Sequence, residues 1–382
     1  MATVVPFHAI RYSAQAQGGL AALVAPPYDV IPDDAVPGLL ARSPHNVVRL
    51  TRPGTDYRGA AELERRWLAE GILMQDPRPA FYLHEQAFAG GVRRGLFAAV
   101  GLAAYGTGQV FPHEKTHGGA KADRLELYRA TATALEPLWF VYRGAGTRLP
   151  ELLVKGFAGP PAIEFEADGD SHRVWMIDDP AWQSAVTAEF AGLPLLIADG
   201  HHRYVTALTY AEETGAPAGA AARHALVLLV DIADPGLVVL PTHRVLRVAP
   251  VRITGGEPAQ SLEDTLKALE GRVAAGHYAG GSFQVLPLEG ELPLVELHQQ
   301  LIDNLLGRRS AEDVLLYTRD PQEAVRWVDE GKGQQAFFLG APDLGAVLTL
   351  AEQGRTLPQK STFFHPKPPS GMLFLGLDQA AP

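Results

Sequence analysis

Apolar and polar positions along the chain change their period several times, and the clearest change falls within residues 195–213. The apolar run Leu195–Ala198 is typical of a buried strand, and from Val205 onward apolar residues recur at helical spacing. The residues between the two patterns are Asp199-Gly200-His201-His202-Arg203. The pattern therefore predicts a strand that turns directly into a helix, with polar and charged side chains concentrated at the turn.

The rest of the chain predicts strands interleaved with helices in no regular alternation, which favours an α+β (mixed α/β) fold over a doubly wound sheet. Helices are predicted at 57–71, 122–134, 202–213, 261–269 and 294–306. Strands are predicted at 79–84, 94–105, 138–142, 173–177, 225–230, 314–318 and 335–339.

The length of the chain and its local composition predict how it divides into domains. A chain of 382 residues exceeds the usual size of a single core, so two domains are expected. Residues 248–258 are rich in Gly, Pro and Thr, which favours a linker. We expect a catalytic domain with an N-terminal extension at 1–248 and a smaller accessory α/β domain at 249–345. The tail, 346–382, is expected to fold back toward the active site.

Composition narrows the function classes. A net charge of −10 argues against a nucleic-acid partner, because phosphate backbones attract basic surfaces. The absence of cysteine excludes disulfides, thiolate zinc sites and cysteine nucleophiles. No apolar run approaches the roughly 18 residues that span a bilayer, so no membrane partner is expected. Residues 1–12 lack the charged start and apolar core of a signal peptide, which favours a cytoplasmic protein. The sequence leaves the oligomeric state open, a homodimer included.

The turn at 199–203 has the chemistry of a phosphate site. Helix N-termini hold anions, Gly200 permits close approach of the backbone, and Arg203 can grip a phosphate bidentately. Asp199 is placed to bind a metal or accept a proton. The alternative is structural: Asp199 caps the helix, Gly200 makes the turn and Arg203 is solvated. We expect phosphate contacts from Gly200, His201 and Arg203.

A second motif surrounds Glu114, which stands among cations in the segment 112–117. Neighbouring positive charge would keep Glu114 ionised, as a general base or magnesium ligand requires. A solvated loop is the alternative. His113 and His117 could also bind zinc on one helical face, with Asp199 or His201 as a third ligand.

Further candidates lie on stiff loops and after an apolar strand-like run. Each of them also has a plain structural interpretation as a turn or an exposed side chain. Expected substrate contacts are Tyr28, Asp29, Asn46 and Arg49, and expected phosphate contacts are His243, Arg244 and Lys360.

The 199–203 motif resembles the phosphate-binding signature of the ParB/sulfiredoxin-like superfamily, most closely that of its free-serine kinases. Over nearly its full length the chain also resembles a prokaryotic family catalogued as domain of unknown function family 1015. The segments that carry this second resemblance are 25–31, 43–50, 112–116, 121–125, 240–244 and 357–362. The resemblance implies a ParB/sulfiredoxin-like nucleotide-binding core, with ADP or ATP and Mg²⁺ as cofactors. It also implies free L-serine as the acceptor.

Motifs and resemblance together predict a nucleotide-dependent small-molecule phosphotransferase that forms O-phosphoserine. We expect Asp199, Glu114 and His202 to be catalytic, Glu114 and Asp199 to hold Mg²⁺, and Glu114, Asp199, His202 and Arg203 to share one cleft. One alternative is a metal-dependent hydrolase or phosphatase, with zinc as its metal. The other is a non-catalytic nucleotide-binding switch.

Overall fold

The computed structural model describes residues 3–114, 121–248, 253, 255–303 and 311–382. The chain forms two units. The first comprises Met1–Pro112, Thr116–Val238 and Pro366–Pro382, and the second comprises His113–Lys115 and Val239–His365. The division thus falls at Val238, where the sequence predicted residue 248, and the tail divides at Pro366. The catalytic and accessory roles assigned to the two parts stay predictions.

The strands are short at both ends of the chain and long in the middle of the first unit. In chain order they are β1 (Val4–Val5), β2 (Ala9–Tyr12), β3 (Leu73–Gln75), β4 (Phe81–Phe88), β5 (Gly91–Gly101), β6 (Val110–Pro112), β7 (Thr133–Ala134), β8 (Leu138–Tyr142), β9 (Ile163–Ala167), β10 (Asp170–Ile177), β11 (Leu195–Asp199), β12 (His224–Asp231), β13 (Val238–Leu240), β14 (His243–Leu246), β15 (Glu257–Ala259), β16 (Ala274–Ala279), β17 (Ser282–Pro287), β18 (Leu315–Thr318), β19 (Gln335–Phe338), β20 (Phe363–His365) and β21 (Phe374–Gly376).

Helices alternate irregularly with these strands, as the sequence predicted. They are α1 (Gly19–Leu23), α2 (Val36–Arg42), α3 (Val48–Thr51), α4 (Tyr57–Ala69), α5 (Lys121–Thr131), α6 (Leu149–Gly156), α7 (Pro180–Phe190), α8 (His201–Glu213), α9 (Leu262–Lys267), α10 (Pro293–Leu297), α11 (Ala311–Val314), α12 (Pro321–Asp329) and α13 (Leu344–Glu352).

A nine-stranded mixed sheet organises the first unit. Its order is β6-β11-β8-β12-β5-β4-β10-β9, and β1 also pairs with β5. The pairs β6–β11 and β8–β12 are parallel, whereas the other pairs are antiparallel. The central strand β8 is buried along its whole length, which explains its unbroken apolar sequence. This combination confirms the predicted mixed α/β class.

The described residues of the first unit include two hydrophobic cores. Phe140, Leu229 and Val186 belong to the core in which α6 and α7 cover one face of the sheet. Trp67 belongs to a second core, which joins α1–α4 to the small sheet β3-β2-β21-β7. The tail strand β21 lies between β2 and β7, so the C-terminal residues are part of this unit.

The second unit is built on a six-stranded antiparallel sheet, ordered β15-β17-β16-β19-β14-β18. Its core includes Val245, Ala324 and Phe338, with α12 packed on β14 and β19. β15 lies at the edge of this sheet. Glu257–Ala259 therefore form a strand, whereas their Gly- and Pro-rich surroundings had suggested a linker.

Local contacts and backbone conformations set several helix ends. α4 begins at Tyr57 because the Asp56 carboxylate accepts a hydrogen bond from the Gly59 N–H. α5 ends at Thr131, before the predicted 134, because Ala132 takes a left-handed conformation with a φ of 51°. α10 continues into a π-type turn, His298–Ile302, and residues 304–306 of the predicted helix lie outside the described residues.

Candidate functional site

The strand-to-helix turn forms where the sequence predicted it. β11 ends at Asp199, α8 begins at His201, and Gly200 between them has a left-handed φ of 94°. A Cβ on Gly200 would lie 2.5 Å from Leu138 Cδ2, so both the backbone and the packing require glycine. Gly200 provides no side-chain cap for α8. The start of this helix therefore has the N–H groups and partial positive charge that favour an anion.

Asp199 lies at the centre of a charge cluster. Its Oδ1 is 2.7 Å from Lys367 Nζ, and its Oδ2 accepts a 2.6 Å hydrogen bond from Arg203. Burial raises the pKa of the Asp199 carboxyl, but the positive charges of Lys367, Arg203 and His201 lower it by more. The net pKa is therefore below its ordinary value. Asp199 is therefore an ionised carboxylate and a weak proton acceptor at neutral pH.

Arg203 faces the protein interior. The residue is 6% exposed, and besides Asp199 it contacts the Pro137 carbonyl, which accepts a 2.7 Å hydrogen bond from Nη1. The sequence predicted that this guanidinium grips a phosphate. Such a contact would require Arg203 to exchange at least one of these protein partners.

Asp29 joins the same cluster from the other end of the first unit. It lies in a 3₁₀ turn, Tyr28–Val30, which follows the stiff pair Pro26-Pro27. Its Oδ2 is 3.0 Å from Lys367 Nζ, and its side chain is 39% exposed. Asp29 and Asp199, both predicted as site residues, thus share one lysine. Of the two carboxylates, Asp29 is the more accessible to a ligand.

The loop before Asp29 is fixed by Glu136 and Ser370, which the sequence did not single out, and by Arg124, which lies in the 121–125 segment. Glu136 accepts hydrogen bonds from the Tyr28 N–H at 2.9 Å and from the Ser370 hydroxyl at 2.7 Å. The Arg124 guanidinium lies 4.2 Å from the centre of the Tyr28 ring, a cation–π contact. Tyr28 therefore positions the turn that carries Asp29.

Lys367 reaches the cluster on a strap that we define as residues 366–370. The buried Arg93 donates to the Pro366 carbonyl at one end, and Ser370 pairs with Ala25 through both backbone groups at the other. Two prolines, 368 and 369, stiffen the segment between. With both ends held, the lysine is only 11% exposed.

The second unit holds a different group of predicted residues. Glu114 accepts hydrogen bonds from the Ser361 N–H at 2.6 Å and from the Lys360 N–H at 3.2 Å. Arg244, which is fully buried, donates to the carbonyls of Gln359 and Lys360 at 3.4 and 3.3 Å. Lys360 has a left-handed φ of 52°, unusual for a residue with a side chain. Glu114 and Arg244 thus hold opposite polar groups of one strained turn.

His243 is buried beside Arg244, and its Nδ1 accepts a 3.3 Å hydrogen bond from the Leu339 N–H. Burial, with the Arg244 charge, lowers the pKa of His243 to about 4, so the ring is neutral at physiological pH. His113 contacts the Thr362 hydroxyl at 2.7 Å, and its proposed zinc partner His117 lies outside the described residues.

Asn46 and Arg49, predicted to bind substrate, contact backbone in the first unit. Asn46 is fully buried; its amide donates to the Ala22 and Val24 carbonyls, and its oxygen accepts from the Val48 N–H. Arg49 donates to the Leu40 carbonyl at 3.0 Å. A ligand role for Asn46 would require breaking these bonds. His202 is half-buried in the first turn of α8, where it was expected.

The predicted residues therefore form two groups. Asp29, Asp199, His202 and Arg203 belong to the first unit, and Glu114 belongs to the second. The expectation that Glu114 shares a cleft with Asp199 and Arg203 stays a prediction.

The residues do not fit a resident Mg²⁺ at the predicted positions. Both oxygens of Asp199 are engaged by protein cations, and both oxygens of Glu114 accept backbone N–H groups. Among the described residues, no three His, Asp or Glu side chains are arranged to hold a metal ion. Within that same part of the chain, no helix is long and apolar enough to cross a membrane.

The protein is thus a mixed α/β protein with a polar cluster at a strand-to-helix junction. The chain belongs to the family described as "Protein of unknown function (DUF1015)", whose sequence profile matches residues 4–330. Lys367 and its strap lie beyond the matched residues. No curated protein matches the chain significantly.

Three of the solved structures that match part of this chain are the following. A free serine kinase in complex with AMP is 16% identical, with a TM-score of 0.39 over 71% of this chain and 86% of the other. A conserved hypothetical protein from Pyrococcus furiosus is 18% identical, with a TM-score of 0.37 over 71% and 90%. SbnI with a C-terminal truncation, from Staphylococcus aureus, is 13% identical, with a TM-score of 0.36 over 70% and 84%.

Proposed function

We propose that the first unit is a nucleotide-dependent phosphotransferase that acts on a small alcohol. The observation that carries the proposal is the cluster at the start of α8, where Asp29, Asp199, Lys367 and Arg203 lie at a helix N-terminus. Phosphoryl transfer needs mainly positioning and positive charge around the transferred group. A helix N-terminus beside two protein cations offers both.

In this scheme the nucleotide, ADP or ATP, places its phosphates at the Gly200 turn. Asp29, the more exposed carboxylate, takes the proton of the acceptor hydroxyl as the hydroxyl oxygen bonds to the terminal phosphorus. The P–O bond to the rest of the nucleotide breaks, and AMP leaves from ADP or ADP leaves from ATP. The lowered pKa of Asp199 makes it a weak base, so its role is to hold Lys367 and Arg203 in place. No step is assigned to a protein-bound metal. The acceptor that the resemblance of the 199–203 motif implies is free L-serine, with O-phosphoserine as the product.

The test combines binding with turnover. Protein is titrated with AMP, ADP and ATP in a thermal-shift assay, because a ligand at a hundred times its Kd stabilises by about 2.7 kcal/mol. Product is then sought by ³¹P NMR with L-serine, and with other small alcohols, as acceptor. We expect a nucleotide-dependent shift and phosphoserine formation. A chain that binds none of these nucleotides and phosphorylates no alcohol would refute the proposal.

A matched pair of variants locates the chemistry. Asp29→Asn should lower turnover by roughly 10²-fold or more while nucleotide binding persists, because an amide cannot take the hydroxyl proton. Asp33→Asn is the control, since Asp33 lies on the same loop with its side chain 94% exposed. Equal activity of the two variants would remove Asp29 from the mechanism.

A further inference from the structure

The carboxylates Asp29 and Asp199 are arranged as a small cation site. Two carboxylates that share one partner are the usual protein contribution to a Mg²⁺ site, in which waters and substrate phosphates complete the shell. Here the shared partner is an ammonium: Lys367 Nζ lies 3.0 Å from Asp29 and 2.7 Å from Asp199. The lysine therefore takes the place at which a divalent ion would bridge the two.

The charges within the cluster already balance. Asp29 and Asp199 contribute two negative charges, and Lys367 and Arg203 contribute two positive ones. Burial lowers the pKa of the Lys367 ammonium, but the negative charges of Asp199 and Asp29 raise it by more. The net pKa therefore lies above its ordinary value. Lys367 thus stays charged at neutral pH. An added divalent ion would meet no uncompensated negative charge, and it would face an ammonium at close range.

The fold also holds the ammonium in position. Arg93 contacts the strap at Pro366, while Ser370 is bound to Ala25 and to Glu136. Prolines 368 and 369 restrict the backbone between these anchors. Withdrawing Lys367 to admit a metal would separate a buried ammonium from two carboxylates. It would do so on a segment that has little freedom to move.

We propose that Asp29 and Asp199 form a cation site whose resident cation is the Lys367 ammonium, so that the native chain binds no divalent metal there. Lys367 is a positioning residue, which holds the two carboxylates close together. This inference goes beyond the proposed reaction, since it concerns cation binding in the absence of any nucleotide.

The test replaces the ammonium with an apolar side chain of similar length. Full-length wild type and Lys367→Met are titrated with Mn²⁺ without nucleotide, and free Mn²⁺ is followed by electron paramagnetic resonance. We expect Lys367→Met to gain one site, roughly tenfold or more tighter than any Mn²⁺ binding by wild type, because the ammonium that occupies the place between the two carboxylates has been removed. Adding Asp29→Asn to Lys367→Met should abolish the gained site.

Lys332→Met is the control, because Lys332 is exposed and contacts a single carboxylate, that of Glu330, at 2.7 Å. It should gain no site. If Lys367→Met fails to fold by circular dichroism, Lys367→Gln replaces it. A folded Lys367 variant that gains no Mn²⁺ site would overturn the proposal. So would one-to-one Mn²⁺ binding by wild type that Asp29→Asn abolishes, and this comparison needs no Lys367 variant at all.

Discussion

Arg203→Ala is predicted to destabilise the first unit in addition to any effect on ligands. The guanidinium is 6% exposed and makes hydrogen bonds of 2.6 Å to Asp199 and 2.7 Å to the Pro137 carbonyl. Removing one partner of a buried ion pair typically costs 3–5 kcal/mol, because a buried charge is left behind. Asp199 would keep Lys367, so we expect the lower end, about 3 kcal/mol.

The measurement is urea unfolding followed by tryptophan fluorescence, in a Trp327→Phe background that removes the tryptophan of the second unit. A double-mutant cycle with Asp199→Asn should give a coupling of about 1–3 kcal/mol. Arg129→Ala is the control: Arg129 bridges to Glu213 at the surface and should change little. If the free energy of unfolding of Arg203→Ala lies within about 0.5 kcal/mol of that of wild type, this guanidinium does not form the buried pair described.

Three further changes test other parts of the first unit. Burial raises the pKa of Glu64, which is 3% exposed, from 4.5 to about 7. The protonated side chain therefore contributes its full stability below pH 4.5, and this contribution is lost as pH rises through 7. Glu64→Gln should therefore raise the free energy of unfolding by about 3 kcal/mol near pH 8.5 and little near pH 5, whereas Glu62→Gln should do neither. Asn46→Ala should cost about 2 kcal/mol in urea unfolding, because buried backbone groups lose their partners, while nucleotide thermal shifts persist; loss of those shifts in the folded variant would make Asn46 a ligand contact. Gly200→Ala should lower the free energy of unfolding by at least the roughly 1–3 kcal/mol of a strained backbone, and a neutral result would contradict the left-handed turn.

Local pattern was sufficient where one segment forms its own structure. The strand β11, the Gly200 turn and α8 follow from an apolar run, a glycine and helical spacing, and all lie where they were predicted. The same holds for β8, whose bounds agree with the prediction. Each of these elements has its own local signal, either an unbroken apolar run or apolar residues at helical spacing, so distant residues change its limits little.

Elements that depend on distant partners were not predictable in this way. The small sheet β3-β2-β21-β7 joins strands of two to four residues from both ends of the chain. Strands so short have no periodicity of their own, and pairing alone defines them. The unit boundary behaves similarly, since β14 pairs with β18 and β19 in the second unit although it precedes the Gly- and Pro-rich segment.

The charge cluster shows why a motif can locate a site without specifying its chemistry. An Asp followed by Gly-His-His-Arg is compatible with a metal ligand, a general base or a salt-bridged anchor, because each role needs the same carboxylate. What separates these roles is the neighbour of Asp199, and that neighbour is Lys367, which is separated from the other carboxylate, Asp29, by 338 positions. A lone lysine among prolines has no pattern that would link it to either aspartate. Only the fold, by anchoring the strap at Arg93 and Ala25, decides that an ammonium bridges the two carboxylates.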